Sequence, residues 1–118
     1  MRWILRSKIH KARVTETNIN YIGSITIDEK LLKKVGIWPG EKVLVASNMS
    51  GVRIETYVIA GKEGSRVICM NGPAARLIKK NEEIIIMGFE LTDKPTKAKI
   101  ILVDKENNFV KFLSYIND

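Results

Sequence analysis

Closely spaced turn signals limit the fold of this chain more than any other feature. Gly36, Pro39-Gly40, the runs "NMSG" (48–51) and "GKEG" (61–64), Asn71-Gly72 and "KENN" (105–108) leave only short segments between them. Most of those segments read as strands: "ARVTET" (12–17), "SITID" (24–28), "KVLVAS" (42–47), "VRIETYVIA" (52–60), "SRVICMN" (65–71), "EEIIIMGFEL" (82–91) and "KIILVD" (99–104). After "KENN" the chain returns through "FVKFLSYI" (109–116). "DEKLLKKVG" (28–36) is the clearest helix: Asp28 can cap its start, Leu31, Leu32 and Val35 share a face, and Gly36 suits the position just past its end. "GPAARLIKK" (72–80) predicts a short second helix opening at Pro73. About seven short strands in so short a chain favour a small barrel, because closure removes exposed sheet edges. The expected class is all-β with minor helix.

The 118 residues, 45% of them hydrophobic, suit a single domain spanning 1–118 with a modest core. No apolar run approaches the roughly 20 residues that span a bilayer. Before Arg6 only Trp3, Ile4 and Leu5 are contiguous and apolar, too few for a secretory segment, so the expectation is a cytoplasmic protein that does not engage membranes. The single cysteine, Cys69, lies in the apolar run "VICM" and reads as buried, and with one histidine beside it no zinc site is expected. The net charge of +7 fits a lysine-rich surface, an anionic small molecule or a nucleic acid.

Several enzyme signatures are missing. No glycine-rich phosphate loop is present, and a Ser-His-Asp triad would have to use His10, which spacing does not support. Three stretches remain. In "VRIETYVI", alternation sends Arg53, Glu55 and Tyr57 to one face and Ile54, Thr56 and Val58 to the other. A guanidinium beside a phenol can bind a carboxylate and deliver a proton, although from this strand alone a solvated face with an Arg53–Glu55 pair is the better-supported reading. Lys8 and His10 share a face if their stretch is extended. In "MNGPAA", Asn71-Gly72 marks a tight turn, and small residues follow it. Gly72, Ala74 and Ala75 offer N–H groups there, whereas Pro73 has none. Lastly, Gly23-Ser24 stands where a turn becomes a strand, which by itself asks for no chemistry.

In combination, "KIHKARVTETNINYIGSITID" (8–28), "GVRIETYVIAGKEGSRVICMNGPAA" (51–75) and "EEIIIMGF" (82–89) resemble the pyruvoyl-dependent aspartate 1-decarboxylase family. Tyr-x-Gly-Ser, Arg-x-x-Thr-Tyr, Gly-Ser-Arg and Asn-Gly-x-Ala-Ala carry the likeness, in order, from Lys8 to about Asn108. It implies a six- to seven-stranded double-psi β-barrel, assembled as a homotetramer with active sites between subunits. The implied activity is decarboxylation of L-aspartate to β-alanine for pantothenate and coenzyme A synthesis. The implied cofactor is a covalent pyruvoyl group made from Ser24, with no pyridoxal phosphate and no metal. The chain would cut itself between Gly23 and Ser24 into residues 1–23 and 24–118, with Thr56 assisting, and the Ser24-derived group would form a Schiff base with substrate. Arg53 and Lys8 would meet the substrate carboxylates, Tyr57 would return the proton, and Thr56, Asn71, Gly72, Pro73 and Ala74 would line the pocket. Whether a helper protein assists maturation stays open. The likeness departs at Ala46 and Ser47, where many relatives carry tryptophan, and at Pro73, commonly alanine.

A second resemblance covers only residues 24–45. "SITIDEKLLKKVGIWPGEKVLV" is similar to the strand–helix–Pro-Gly–strand unit of basic swapped-hairpin DNA-binding regulators. It leaves "RIETY" and "NGPAA" without a use, so the decarboxylase reading, with no nucleic-acid partner, is preferred.

Overall fold

The computed structural model describes residues 1–114. Its elements are β1 (Arg2–Arg13), β2 (Glu16–Asn18), β3 (Ser24–Asp28), α1 (Glu29–Val35), β4 (Lys42–Ser47), β5 (Arg53–Gly61), β6 (Ile68–Asn71), α2 (Ala74–Leu77), β7 (Glu83–Thr92), β8 (Lys99–Val103) and β9 (Phe109–Leu113).

The strands hydrogen-bond in the order β2-β6-β3-β5-β4-β7-β1-β8-β9. That ribbon closes on itself because β1 and β2 are nearly one strand. At the junction, the Val14 N–H donates to Glu82 O at 3.0 Å and the Thr15 N–H donates to Ile68 O at 2.8 Å. One continuous stretch of chain therefore borders β7 at one end and β6 at the other. The barrel has six staves, with β1 and β2 counted together, and β8 and β9 extend the sheet beyond it. Parallel pairs (β3 with β5, β2 with β6, β1 with β8) mix with antiparallel ones. The interior is filled by the inward residues of each strand, among them Ile9, Val14, Ile25, Ile27, Val45, Val58, Met70 and Ile86. α1 adds Leu31, Leu32 and Val35 to the same core.

Strand β1 is longer than the alternation in "ARVTET" implies. It is bulged between Leu5 and Ser7 and again between Ile9 and Ala12, where Lys11 takes φ 62°. Each bulge inserts a residue and shifts the inward phase, so Ile9 and Ala12, three apart, both reach the core. β6 is shorter than "SRVICMN", because Asp28 claims the backbone before it. The Asp28 carboxylate accepts from the Gly64 N–H at 2.9 Å and the Arg66 N–H at 2.7 Å while capping α1 at the Lys30 N–H, 2.8 Å away. Gly36 closes α1 at φ 75°. α2 ends at Leu77 because Ile78 is already extended, so Lys79 and Lys80 lie outside it. Residues 115 and 116 of the expected last strand fall outside the described residues. No helix of the described residues is long and apolar enough to cross a membrane.

Candidate active site

Ser24 opens β3 with its side chain on the opposite face from Ile25 and Ile27, both core residues, yet it is fully buried. Its hydroxyl donates to the Ile22 carbonyl at 2.8 Å and accepts from the Asn71 Nδ2 at 2.9 Å. Asn71 sits directly across the antiparallel β3–β6 ladder and is itself buried. The second hydrogen of Nδ2 goes to the Thr26 Oγ1, also at 2.9 Å. The remaining end of the amide, Oδ1, lies 3.1 Å from the Cys69 Sγ. Burial pushes the Cys69 thiol up from its ordinary value, and the charge of Glu16 adds to this, so the sulfur keeps its proton and donates.

The turn after Asn71 presses on the residue before Ser24. Gly72 has φ 64°, and a Cβ there would stand 2.8 Å from the Gly23 Cα, 3.0 Å from the Gly23 N and 3.1 Å from the Tyr21 O. Both the backbone conformation and the contact require glycine at 72. A Cβ on Gly23 would meet only the Pro73 Cδ, at 3.4 Å. The steric demand for a bare residue thus falls on Gly72. Of the three N–H groups expected to face an anion, Gly72 donates to Asn18 O and Ala75 to Gly72 O. Only the Ala74 N–H has no such partner among the described residues.

β5 lies on the other side of β3. Arg53, Glu55 and Tyr57 are exposed, and Ile54, Thr56 and Val58 turn toward the interior, as alternation predicts. The parallel register pairs Ile25 with Val58. The ladder starts at that pair, and Ser24 and Tyr57, then Gly23 and Thr56, precede it along their chains. The Thr56 hydroxyl makes no hydrogen bond among the described residues. Glu55 forms its ion pair with Lys42 rather than Arg53, which leaves the Arg53 guanidinium without an ion pair among the described residues.

Lys8 is elsewhere. The ladder rows run Lys8, Met87, Leu44, Glu55, which puts three strand steps between Lys8 and β5. At about 5 Å per step this is roughly 15 Å measured along the curved sheet. No hydrogen bond or ion pair among the described residues joins Lys8 to Ser24, Arg53 or Tyr57. His10, two residues on, is part-buried with an unpartnered Nδ1. Its pKa is lowered by burial and by Lys8 and Lys11, against the opposing pull of Glu83, so the ring is neutral at pH 7. At the departures from the family pattern, Ala46 is buried opposite Arg53, and the Ser47 hydroxyl donates to Glu82 at 2.6 Å. A cleft of about 470 Å³ lined by Trp3, Lys42, Leu44, Glu55 and Phe89 opens on the outer face of β4 and β5, and neither Ser24 nor Asn71 lines it. Among the described residues no group of three or more His, Cys, Asp or Glu side chains could hold a metal.

Thr26 is not singled out by the sequence, and Cys69 is expected only to be buried, as it is, with no part in the site. Alternation in "SITID" and "VICMN" already puts Thr26 with Ser24 and Cys69 with Asn71, but only the β3–β6 register brings the two pairs face to face.

The family model described as "Aspartate decarboxylase" matches residues 1–110. It runs through residues 24–45, the stretch that also resembles DNA-binding regulators, and continues far beyond them. Aspartate 1-decarboxylase of Desulfitobacterium hafniense (strain DSM 10664 / DCB-2) is 51% identical over 114 residues, covering 93% of this chain and 90% of its own. The Neisseria meningitidis serogroup C enzyme of the same name is 48% identical over 118 residues, covering 97% and 93%. That of Caldicellulosiruptor bescii is 51% identical over 112 residues, covering 92% and 88%. Among solved structures, the computationally designed double-psi β-barrel msDPBB_sym2 superposes with a TM-score of 0.52 at 19% identity, over 74% of this chain and 99% of that one. This likeness concerns the fold alone, and it agrees with an all-β double-psi barrel carrying minor helix.

Proposed function

This chain belongs to the aspartate decarboxylase family, and from that membership we propose that it matures by cutting itself between Gly23 and Ser24. It is a carboxy-lyase that decarboxylates L-aspartate to β-alanine and carbon dioxide. The β-alanine feeds pantothenate and coenzyme A synthesis in the cytoplasm.

The observation that carries the maturation reading is the setting of Ser24. A serine that merely opened a strand would need no such enclosure. This one is sealed in, its oxygen held between a carbonyl and an amide, beside a glycine on which Gly72 bears. The Ser24 Oγ attacks the Gly23 carbonyl carbon, the C–N bond breaks, and an ester replaces the amide. Loss of the Ser24 α-proton then expels the Gly23 carboxylate, which carries Oγ with it. The dehydroalanine left behind takes up water and releases ammonia, ending as a pyruvoyl group at the head of residues 24–118. Thr56, which like Gly23 lies two residues before the start of the β3–β5 ladder and has an uncommitted hydroxyl, would polarise the carbonyl under attack.

The residues fit such a group, since the Asn71 amide lies within hydrogen-bond distance of residue 24 and would leave an N–H donor beside the ketone once Oγ has departed. Once formed, the pyruvoyl ketone supplies the electron sink that decarboxylation of an amino acid requires, with no pyridoxal phosphate and no metal. Arg53, without an ion pair, binds a substrate carboxylate through its planar fork. Tyr57, which like Ser24 lies one residue before the start of the β3–β5 ladder, donates the proton that replaces carbon dioxide. Asn71, Gly72, Pro73 and Ala74 wall the pocket. The separation of Lys8 from β5 supports supply of Lys8 by a second copy, and hence a homotetramer with sites between subunits.

Denaturing intact-mass measurement on freshly purified protein tests the reading. Wild type should give fragments 1–23 and 24–118, Ser24→Ala a single chain, and the cut protein should release carbon dioxide from L-aspartate with nothing added. If wild type remains whole, lysate from the source cell is added to supply any helper. A chain still whole after that overturns the proposal.

A further inference from the structure

We infer that Thr26 is a positioning residue for the Ser24 site, anchoring the Asn71 amide from the side that Ser24 does not use. The inference rests on the self-cleavage reading. The Asn71 Nδ2 has two hydrogens and two acceptors, the Ser24 Oγ and the Thr26 Oγ1, each at 2.9 Å. Ser24 has already committed its proton to the Ile22 carbonyl, so toward Asn71 it can only accept. The amide nitrogen must therefore face the two hydroxyls, and Oδ1 turns to the protonated Cys69 thiol. Without the Thr26 hydroxyl, one N–H loses its acceptor in a part-buried setting, and the amide is free to swing about its broad terminal torsion.

Maturation makes the anchor matter more. The Ser24 Oγ departs as part of the Gly23 carboxylate, so of the two acceptors only Thr26 survives the cut. Its hydroxyl keeps Asn71 oriented and leaves the second N–H aimed at residue 24. Thr26 touches neither substrate nor the breaking bond; it acts through Asn71.

The test compares wild type, Thr26→Ser and Thr26→Val. Cleavage is followed as the appearance of fragment 24–118 on denaturing electrophoresis. Thr26→Val should cut about tenfold more slowly, the scale of one lost hydrogen bond, and Thr26→Ser should stay within about threefold of wild type. In a Ser24→Ala background, which cannot cut, the Asn71 side-chain amide resonances should move or broaden in Thr26→Val and hold in Thr26→Ser. Wild-type cleavage rates in Thr26→Val, or a Thr26→Ser chain as slow as Thr26→Val, overturn the role in cleavage. Unchanged Asn71 resonances in Thr26→Val overturn the anchoring itself. A wild-type chain that never cuts, lysate included, overturns the maturation reading while the resonances still decide the anchoring.

Discussion

Ser24 donates its proton to the carbonyl of Ile22, not to that of Gly23, the bond it has to open. The hydroxyl must rotate away from a satisfied hydrogen bond before it can attack, and among the described residues the only side chain hydrogen-bonded to its oxygen is a neutral amide. No carboxylate or imidazole among the described residues hydrogen-bonds to it as a general base, so maturation is expected to be slow beside turnover. In the proposed mechanism, turnover uses different atoms. Tyr57 is exposed on the face to which Ser24 also points, whereas Thr56 looks inward. Tyr57→Phe keeps the ring and loses only the acidic proton. It should therefore cut normally while β-alanine formation falls by roughly 10² to 10⁴, the usual weight of a positioned acid. Fragment pattern and product assay on one preparation check both halves, and an active, normally cut Tyr57→Phe would remove the phenol from the mechanism.

The elements show which features local pattern can carry. β3, β4 and α1 were legible to the residue, because strict alternation or an apolar stripe runs between unambiguous turn and cap residues. β1 was not, since its two bulges break the period that marks a strand, and Lys11 gives no sign in the sequence that it will take a positive φ. The start of β6 was lost to Asp28, whose side chain binds backbone N–H groups nearly forty positions away. The site divides the same way. The shared face of Arg53 and Tyr57 follows from period two, but the Ser24–Asn71–Thr26 contacts depend on a non-local register. That register also assigns the glycines. In an uncleavable Ser24→Ala background, Gly72→Ala should cost about 2–4 kcal/mol in denaturant unfolding, combining positive φ with a backbone clash at 2.8 Å. Gly23→Ala should cost under about 1 kcal/mol, since its methyl would reach only the Pro73 ring. Equal losses at the two positions would contradict the geometry.

At the scale of the whole molecule, the surface carries large apolar side chains that one barrel leaves uncovered: Trp3, Ile22, Trp38 and Met49 are each about two-thirds exposed or more. Faces of this kind suit association with further copies, which the position of Lys8 also asks for. If Lys8 serves a neighbour's site, Ser24→Ala and Lys8→Ala chains, each inactive alone, should recover activity when co-expressed. Random mixing would leave about one quarter of the interfaces with both an intact Ser24 and an intact Lys8. No recovery would mean that Lys8 acts within its own chain or not at all. The closure of the barrel by β1 and β2 has one more consequence. The proposed cut falls after β2, so the severed piece contains the strand that borders β7 and β8 and reaches across to β6. In an uncut chain the barrel of each subunit closes in a unimolecular step, whatever association follows. A cut one must find its missing stave in solution: its folding becomes second order, its denaturation midpoint rises with protein concentration, and the tether that once fixed the stave's local concentration is gone. Self-cleavage would thus change the molecularity of folding, and a synthetic 1–23 peptide could exchange into the barrel only when the whole barrel opens.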